Sequence, residues 1–417
     1  MAMIPIKESK LITIGIFVKA GSRNETSVNS GVAHFLEHMM FKGTNNRTSE
    51  ELFKELDTMG TIYNAATTTQ YTYYYVYGNS ADTKEILDII LDIYINPKFS
   101  TVEMHKEQKV IIEEMRMRSD SPSNKLYTQM HRKIFAGTSL AREVIGTYDT
   151  VMNFRKNDLA EFRTELYKPD NTVLVIAGNF SPKPIYDLVK KILGPLKNSP
   201  KSPLTYFDEK DTIITNMKNQ LEPYISIKQN NMLQQVYLMM VFPMYDLYSY
   251  LYNEIDLLAQ LLSGGSSSRL DHALREKNGI TYTSASSPLV YSDCGLFVIK
   301  MILNPEKLVD GLTILLKELK KTKTSLMTHE EHTKIINIMK NDLLYSLIRP
   351  MDLMTYFGIN LLYNREFKHD IDSDADNLKN ITGEQIKKVA KKIFVRDKIN
   401  LFLYGNVNTT NYDFLDL

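Results

Sequence analysis

Gly31-Val32-Ala33-His34-Phe35-Leu36-Glu37-His38-Met39-Met40-Phe41-Lys42-Gly43-Thr44 carries two histidines four residues apart, with a glutamate directly before the second. The run reads as a helix closed near Gly43. Positions i and i+4 share one helical face, so His34 and His38 can turn their imidazoles to one metal while Glu37 stands beside them, outside the coordination sphere. Hydrolytic zinc sites use three protein ligands and keep a fourth position for water, so a third ligand, expected to be a carboxylate, must come from elsewhere. The order His-x-x-Glu-His inverts the commoner zinc-hydrolase order His-Glu-x-x-His. Taken alone, the pentapeptide also fits a helix with two surface histidines and an acidic neighbour.

Upstream, Ile12–Lys19 alternates and is β-branched, which predicts a strand, and Ala20-Gly21-Ser22-Arg23-Asn24-Glu25 reads as a turn. Downstream, Thr48-Ser49-Glu50-Glu51 is a capping box opening a helix through Leu52, Leu56 and Met59 to Gly60. Asn64 to Gly78, with Tyr71, Tyr73, Tyr74 and Tyr75, suits a pleated strand. Apolar periodicity predicts helices over Lys84–Tyr94 and Ser100–Arg118, and a further one over Asp158–Leu166.

An approximate internal repeat organises the chain. Tyr167-Lys168-Pro169-Asp170-Asn171 leads from a helix into a strand over Thr172–Ala177 that stops at Gly178-Asn179-Phe180. The helix Glu384–Ile393 leads likewise to a strand over Asn400–Tyr404 that stops at Gly405-Asn406-Val407. Gly194 to Pro203 has the composition of an exposed linker, which divides the chain into domains at 1–195 and 206–417 joined by 196–205. Strands that alternate rather than run solidly apolar predict an antiparallel or mixed sheet covered by helices in each half, an α+β fold.

Composition excludes several classes. The length of 417 residues favours two or more domains. Lys and Arg total 50 against 49 Asp and Glu, so charge gives no reason to expect a nucleic-acid partner. Cys294 is the sole cysteine, which rules out an intramolecular disulfide and a cysteine metal site and suits a reducing compartment. No stretch of 18 apolar residues occurs, so no membrane span is expected. The N-terminus lacks a signal or transit pattern, which makes a soluble intracellular protein the default: cytoplasmic, or of an organelle matrix if a leader was removed.

Gly31 to Thr44, preceded by Ala20-Gly21-Ser22-Arg23-Asn24-Glu25, closely resembles the active-site segment of the M16 (pitrilysin) family, particularly its mitochondrial processing peptidase-like two-domain M16B branch. The likeness runs from about Leu11 to Val407. It implies two similar α+β domains of the LuxS/M16 metallopeptidase-like type, each a mostly antiparallel sheet packed with helices, closing as a clamshell over peptide. It implies one Zn2+ per chain, and the family's spacing from the second histidine places the third ligand on Glu114. Glu107 lies two turns earlier on the same face and would support the ligands from behind, whereas Glu113 is rotated by about 100° and reads as a solvated helix charge.

By the same likeness Glu37 is the general base, and Arg275 and Tyr282 hold substrate or the developing oxyanion. Asn64-Ala65-Ala66-Thr67 resembles the family's Asn-Ala-x-Thr strand, in which Asn64, Ala65 and Ala66 bind substrate backbone as an added strand, though the run also fits an ordinary entry from turn to strand. Ser263-Gly264-Gly265-Ser266-Ser267-Ser268 before Arg275 could suggest a phosphate loop, but the Lys-Ser/Thr pair is missing. His329-Glu330-Glu331-His332 reads as an exposed polar helix start, and His105, His131, His272 and His369 lack companions at ligand spacing. The function implied is a zinc endopeptidase acting on unfolded or presequence-like peptides, working as a homodimer or with a related subunit. The alternative is a non-catalytic scaffold or partner subunit. One departure is that about ten residues precede the Ile12–Lys19 strand where relatives carry another strand and hairpin, so the expectation is either that the first sheet lacks an edge strand or that the chain begins late.

Overall fold

A computed structural model describes residues 1–198, 210–244, 251–345, 347–367, 377–408 and 411–417. The linker expected at 196–205 lies largely outside the described residues, as does His369. Two compact units emerge: Met1–Met117 with Ser139–Tyr206 and Leu344–Lys368, and Arg118–Thr138 with Phe207–Leu343 and His369–Leu417. Each unit therefore takes most of its residues from one half of the chain and one segment from the other. Among the described residues, no helix is long and apolar enough to cross a membrane.

The first unit is built on a five-stranded sheet of β1 (Ala2–Pro5), β2 (Leu11–Val18), β3 (Ile62–Thr67), β4 (Thr72–Asn79) and β5 (Thr172–Gly178) in the order β1-β5-β2-β4-β3. The second is built on β6 (Tyr224–Gln229), β7 (Val236–Met244), β8 (Thr281–Val290), β9 (Gly295–Leu303) and β10 (Asn400–Gly405) in the order β6-β10-β7-β9-β8. The two orders correspond strand for strand. In both sheets the pairing at one edge, β1 with β5 and β6 with β10, is parallel and the rest antiparallel. The α+β architecture with two similar halves is thus present, as a mixed sheet in each.

Two expectations are corrected. The first sheet does not lack its edge strand: Ala2–Pro5 pairs with Val175–Gly178. Four residues are too few to show a periodic pattern in sequence. The single strand expected over Asn64–Gly78 is two strands, β3 and β4, joined by a turn whose Thr68 N–H donates to the Tyr71 carbonyl at 2.8 Å. Thr and Tyr occupy that turn, so β propensity did not mark it.

The repeat at the ends of β5 and β10 has a steric basis. Gly178 and Gly405 adopt φ of 130° and 145°. A Cβ there would come within 2.3 Å of the Leu11 carbonyl oxygen and 2.4 Å of that of Gln235, so both positions require glycine.

The first sheet is buried on both faces. Ile12, Ile14, Ile16, Tyr74, Val76 and Ile176 pack against helices that include α1 (Val32–Met40), α2 (Ser49–Thr58), α3 (Thr83–Ile95) and α4 (Thr101–Asp120). On the opposite face Phe17, Val175 and Ala177 meet Leu353, Met354 and Leu362 of the helix Pro350–Tyr363, contributed by the C-terminal half. Reciprocally, α5 (Pro122–Ile134) belongs to the second unit, where Lys125 Nζ donates to the Tyr404 hydroxyl at 3.3 Å and His131 Nε2 lies 3.0 Å from the Tyr291 hydroxyl.

The exchanged helix Pro350–Tyr363 fits closely: a Cβ on Gly358 would lie 2.2–2.5 Å from three ring carbons of Phe17, itself fully buried. Gly358→Ala is expected to destabilise the protein by about 1–3 kcal/mol through overpacking, measured by denaturant unfolding. An unchanged midpoint would mean the helix can shift without loss.

Candidate metal centre

Helix α1 forms where the sequence predicts it, but its N-terminus is unusual. Gly31 caps it with φ of 92° and has no side chain to satisfy the first N–H groups. Glu25 does so from the preceding loop: its two carboxylate oxygens accept from the Gly31 N–H at 2.8 Å and the Ala33 N–H at 2.9 Å. Arg142 fastens the same loop by donating to the Glu25 carbonyl at 2.5 Å. Gly31 and Gly146 pack so tightly that a Cβ on either would fall within 2.8 Å of the other's Cα.

Glu25 is 4 % exposed, and burial pushes its carboxyl up to about 8 against the opposing pull of the Gly31 and Ala33 N–H groups and Arg142. The folded state thus holds a proton that the unfolded chain releases near the ordinary value of 4.5. Stability tied to this group is present below that value and is lost as pH rises toward about 8. Glu25→Gln, which cannot ionise, is expected to flatten the fall in Tm across this window. Glu25→Ala, which leaves the N–H groups bare, is expected to cost about 1–3 kcal/mol. Thermal melts from pH 5 to pH 8 test both, and a wild-type slope in the Gln variant would overturn the linkage.

One face of α1 then carries His34 and His38, their rings 4.7 Å apart, toward α4. Glu114 of α4 completes the group: its Oε2 lies 3.5 Å from His34 Nε2 and 3.6 Å from His38 Nε2. One donor atom from each of the three residues falls within 4.8 Å of the others. Tetrahedral donors on zinc at 2.0–2.1 Å stand about 3.3–3.4 Å apart, so the spacing found fits zinc with little adjustment. Two imidazoles and a carboxylate are also a donor set that zinc prefers.

Around these donors the field is negative. Glu107 Oε2 lies 3.0 Å from His38 Nδ1, and its other oxygen takes Lys42 Nζ at 2.7 Å. This carboxylate orients the ring so that Nε2 faces Glu114. Burial alone would raise the Glu107 carboxyl, but His38 and Lys42 hold it below the usual range. Burial alone would likewise lower His38, yet Glu107, Glu114 and Glu37 raise it to about 9. Glu37, Glu107 and Glu114 against Lys42 leave two negative charges when both imidazoles are neutral, which a divalent cation would offset.

Glu37 lies beside the donors, its carboxyl pushed up by burial and by Glu114 and pulled back by His38 and Thr67. Thr67 Oγ1 donates to Glu37 Oε2 at 2.8 Å. Asn64, Ala65 and Ala66 sit on β3, the outer strand of the sheet, with Asn64 exposed. Glu113 is exposed and pairs with Arg116, the solvated charge expected of it. In the second unit, Arg275 lies in a π-helical turn, His272–Glu276, with its guanidinium 5.3 Å from the ring centre of Tyr282, which is 81 % exposed. His329-Glu330-Glu331-His332 does open a helix, where Glu331 pairs with Arg269 at 2.7 Å and His332 Nε2 lies 2.8 Å from the Ile381 carbonyl.

Sequence reasoning passed over Glu25 and Lys42 as functional side chains, and it read Thr67 only as the end of the run that resembles the family's substrate-binding strand, without its bond to Glu37. Glu25 and Lys42 stand inside the segments quoted from the sequence, but nothing local distinguishes them from turn and helix residues.

Comparison with known proteins agrees with this picture. The sequence model described as "Insulinase (Peptidase family M16)" matches residues 1–148, and the one described as "Peptidase M16 inactive domain" matches residues 153–339. A protein of Rickettsia felis named "Uncharacterized zinc protease" is 30% identical over 396 residues, covering 92% of this chain and 90% of the relative. Human "Cytochrome b-c1 complex subunit 1, mitochondrial" is 36% identical over 182 residues, 44% of this chain and 38% of that protein. The fold matches a crystal structure of a protease from Helicobacter pylori with a TM-score of 0.85 and 24% identity, covering 96% of both chains. This chain belongs to peptidase family M16.

Proposed function

We propose that the chain is a zinc-dependent endopeptidase that cleaves unfolded or presequence-like peptides, with His34, His38 and Glu114 as the zinc ligands. The observation that carries this reading is the convergence of those three donors at zinc spacing with Glu37 beside them. One zinc per chain, when bound, supplies Lewis acidity toward the attacking water and the scissile carbonyl. Glu37 takes the proton of that water and returns it to the leaving amine; its raised pKa suits both duties. Glu107, braced by Lys42, keeps His38 in the orientation that presents Nε2. Asn64, Ala65 and Ala66 receive the peptide backbone along the open side of β3. Arg275 and Tyr282 serve the same reaction by holding substrate or the oxyanion of the tetrahedral intermediate. The active form is a homodimer or a pair with a related subunit.

The likeness to a respiratory-complex subunit favours a second reading, a scaffold or partner subunit without activity. The intact set of His34, Glu37, His38 and Glu114 opposes it, because a scaffold has no use for a donor set with a base beside it. Metal analysis and a panel of basic, acidic and neutral unfolded peptides separate the two. Zinc with cleavage supports the peptidase; zinc with no cleavage of any peptide favours the scaffold; and no zinc binding overturns the centre itself.

A further inference from the structure

We propose that Thr67 is a positioning residue for Glu37, through which capture of peptide on β3 sets the orientation of the base. The proposal rests on the peptidase reading above. Thr67 closes β3 and pairs with Thr72 across the turn to β4. Its hydroxyl donates to Glu37 Oε2 at 2.8 Å.

The direction of the Thr67 hydroxyl is determined by its neighbours. Thr72, fully buried, donates its single proton to the Ala20 carbonyl at 2.8 Å, so toward Thr67 Oγ1 at 3.3 Å it can only accept, and the Thr67 proton goes instead to the nearer, charged carboxylate at 2.8 Å. The turn is itself held. Ser22 N–H donates to the Thr68 carbonyl at 3.3 Å, Arg23 N–H to the Thr69 carbonyl at 2.8 Å and the Arg23 guanidinium to Gln70 at 3.2 Å. A Cβ on Gly21 would lie 2.5 Å from the Thr68 oxygen, which shows how closely the two loops approach. Threonine is stiff at χ1, so an anchored backbone fixes where its oxygen lies.

A free glutamate carboxylate rotates about its terminal torsion and offers either oxygen. Tying Oε2 to Thr67 reserves Oε1 for the proton of the attacking water. The residue that does this directly follows Asn64-Ala65-Ala66, where the peptide backbone pairs, so an incoming strand stiffens the segment that aims the base. A threonine serving only to fill space would do none of this.

Thr67→Val keeps the shape and β-branching while removing the proton donor; Thr67→Ser keeps the donor. The valine variant is expected to bind zinc and unfold as wild type does, with kcat reduced about 10–100-fold and KM within about twofold. The serine variant should recover most of the loss, and the valine change should add little to Glu37→Gln, since both act through one group. Wild-type kcat in the valine variant, zinc lost in step with stability, or a serine variant no better than valine would overturn the proposal. If wild type itself cuts no peptide, the peptidase reading fails separately, and zinc-soaked crystals of wild type and Thr67→Val then decide. A carboxylate rotated away from its wild-type orientation in the variant supports the positioning role, and an identical orientation in both overturns it.

Discussion

Glu37→Gln is expected to bind zinc as tightly as wild type and to lose peptide hydrolysis by a factor of about 10²–10⁴ or more. Glutamine has the shape of glutamate and can still accept the Thr67 hydroxyl, so helix α1 and the donors on it should stay in place. What disappears is a group able to take a proton from water and give it back to the leaving amine. On the proposal that β3 rather than Glu37 holds the peptide, the loss should fall on kcat. Steady-state kinetics together with metal content form the measurement. Cleavage at the wild-type rate would remove Glu37 from the mechanism, and joint loss of zinc and activity would make it a ligand.

Glu114→Gln is expected to produce the second large effect, a drop in zinc affinity of more than about 100-fold with parallel loss of hydrolysis, because two imidazoles alone hold zinc poorly. Glu107 cannot take over. Its oxygens are engaged by His38 Nδ1 and Lys42, and it approaches His38 from the ring edge opposite Nε2. Glu107→Gln should therefore weaken zinc by only about 10–100-fold, the size of effect typical of a group that orients a ligand. Competition titration against a chelator measures both variants on one scale. The reverse ranking, Glu107 essential and Glu114 dispensable, would exchange their roles. Chelator treatment of wild type should abolish cleavage, and added zinc should restore it.

How much of this was legible in advance differs from one residue to the next. The His34, Glu37 and His38 arrangement follows from the period of a single helix, which is local geometry. Glu114 stands far along the chain, and helical spacing shows only that it shares a face with Glu107; family likeness pointed to it, and the apposition of α1 and α4 brings its carboxylate to 3.5 Å from His34. Thr67 was marked only as the end of a run resembling the family's substrate-binding strand. Its partnership with Glu37 exists only because β3 folds back on β4 beneath α1.

The glycines tell a similar story. Gly178 and Gly405 marked the repeat as stop signals, but the reason is contact with carbonyls of Leu11 and Gln235, residues distant in sequence. The division of the chain shows the same limit. Composition placed a linker between two halves, whereas the compact units exchange α5 and the helix Pro350–Tyr363. Nothing in an amphipathic helix names the sheet that will bury it.

The sequence by itself therefore determined the α+β class, the duplicated strand-ending unit and the two-histidine helix with its glutamate, because these depend on periodicity and on contacts within a few residues. Only the tertiary structure decided that β1 completes the first sheet, that Glu25 caps the helix of His34 and His38, that Lys42 and Glu107 orient His38, and that Thr67 grips Glu37. Apart from the Glu25 cap, which spans a loop of six to eight residues, each of these joins segments distant in sequence at hydrogen-bond distance. Such pairing is set by how packed layers come together, and residue spacing along the chain does not encode it directly.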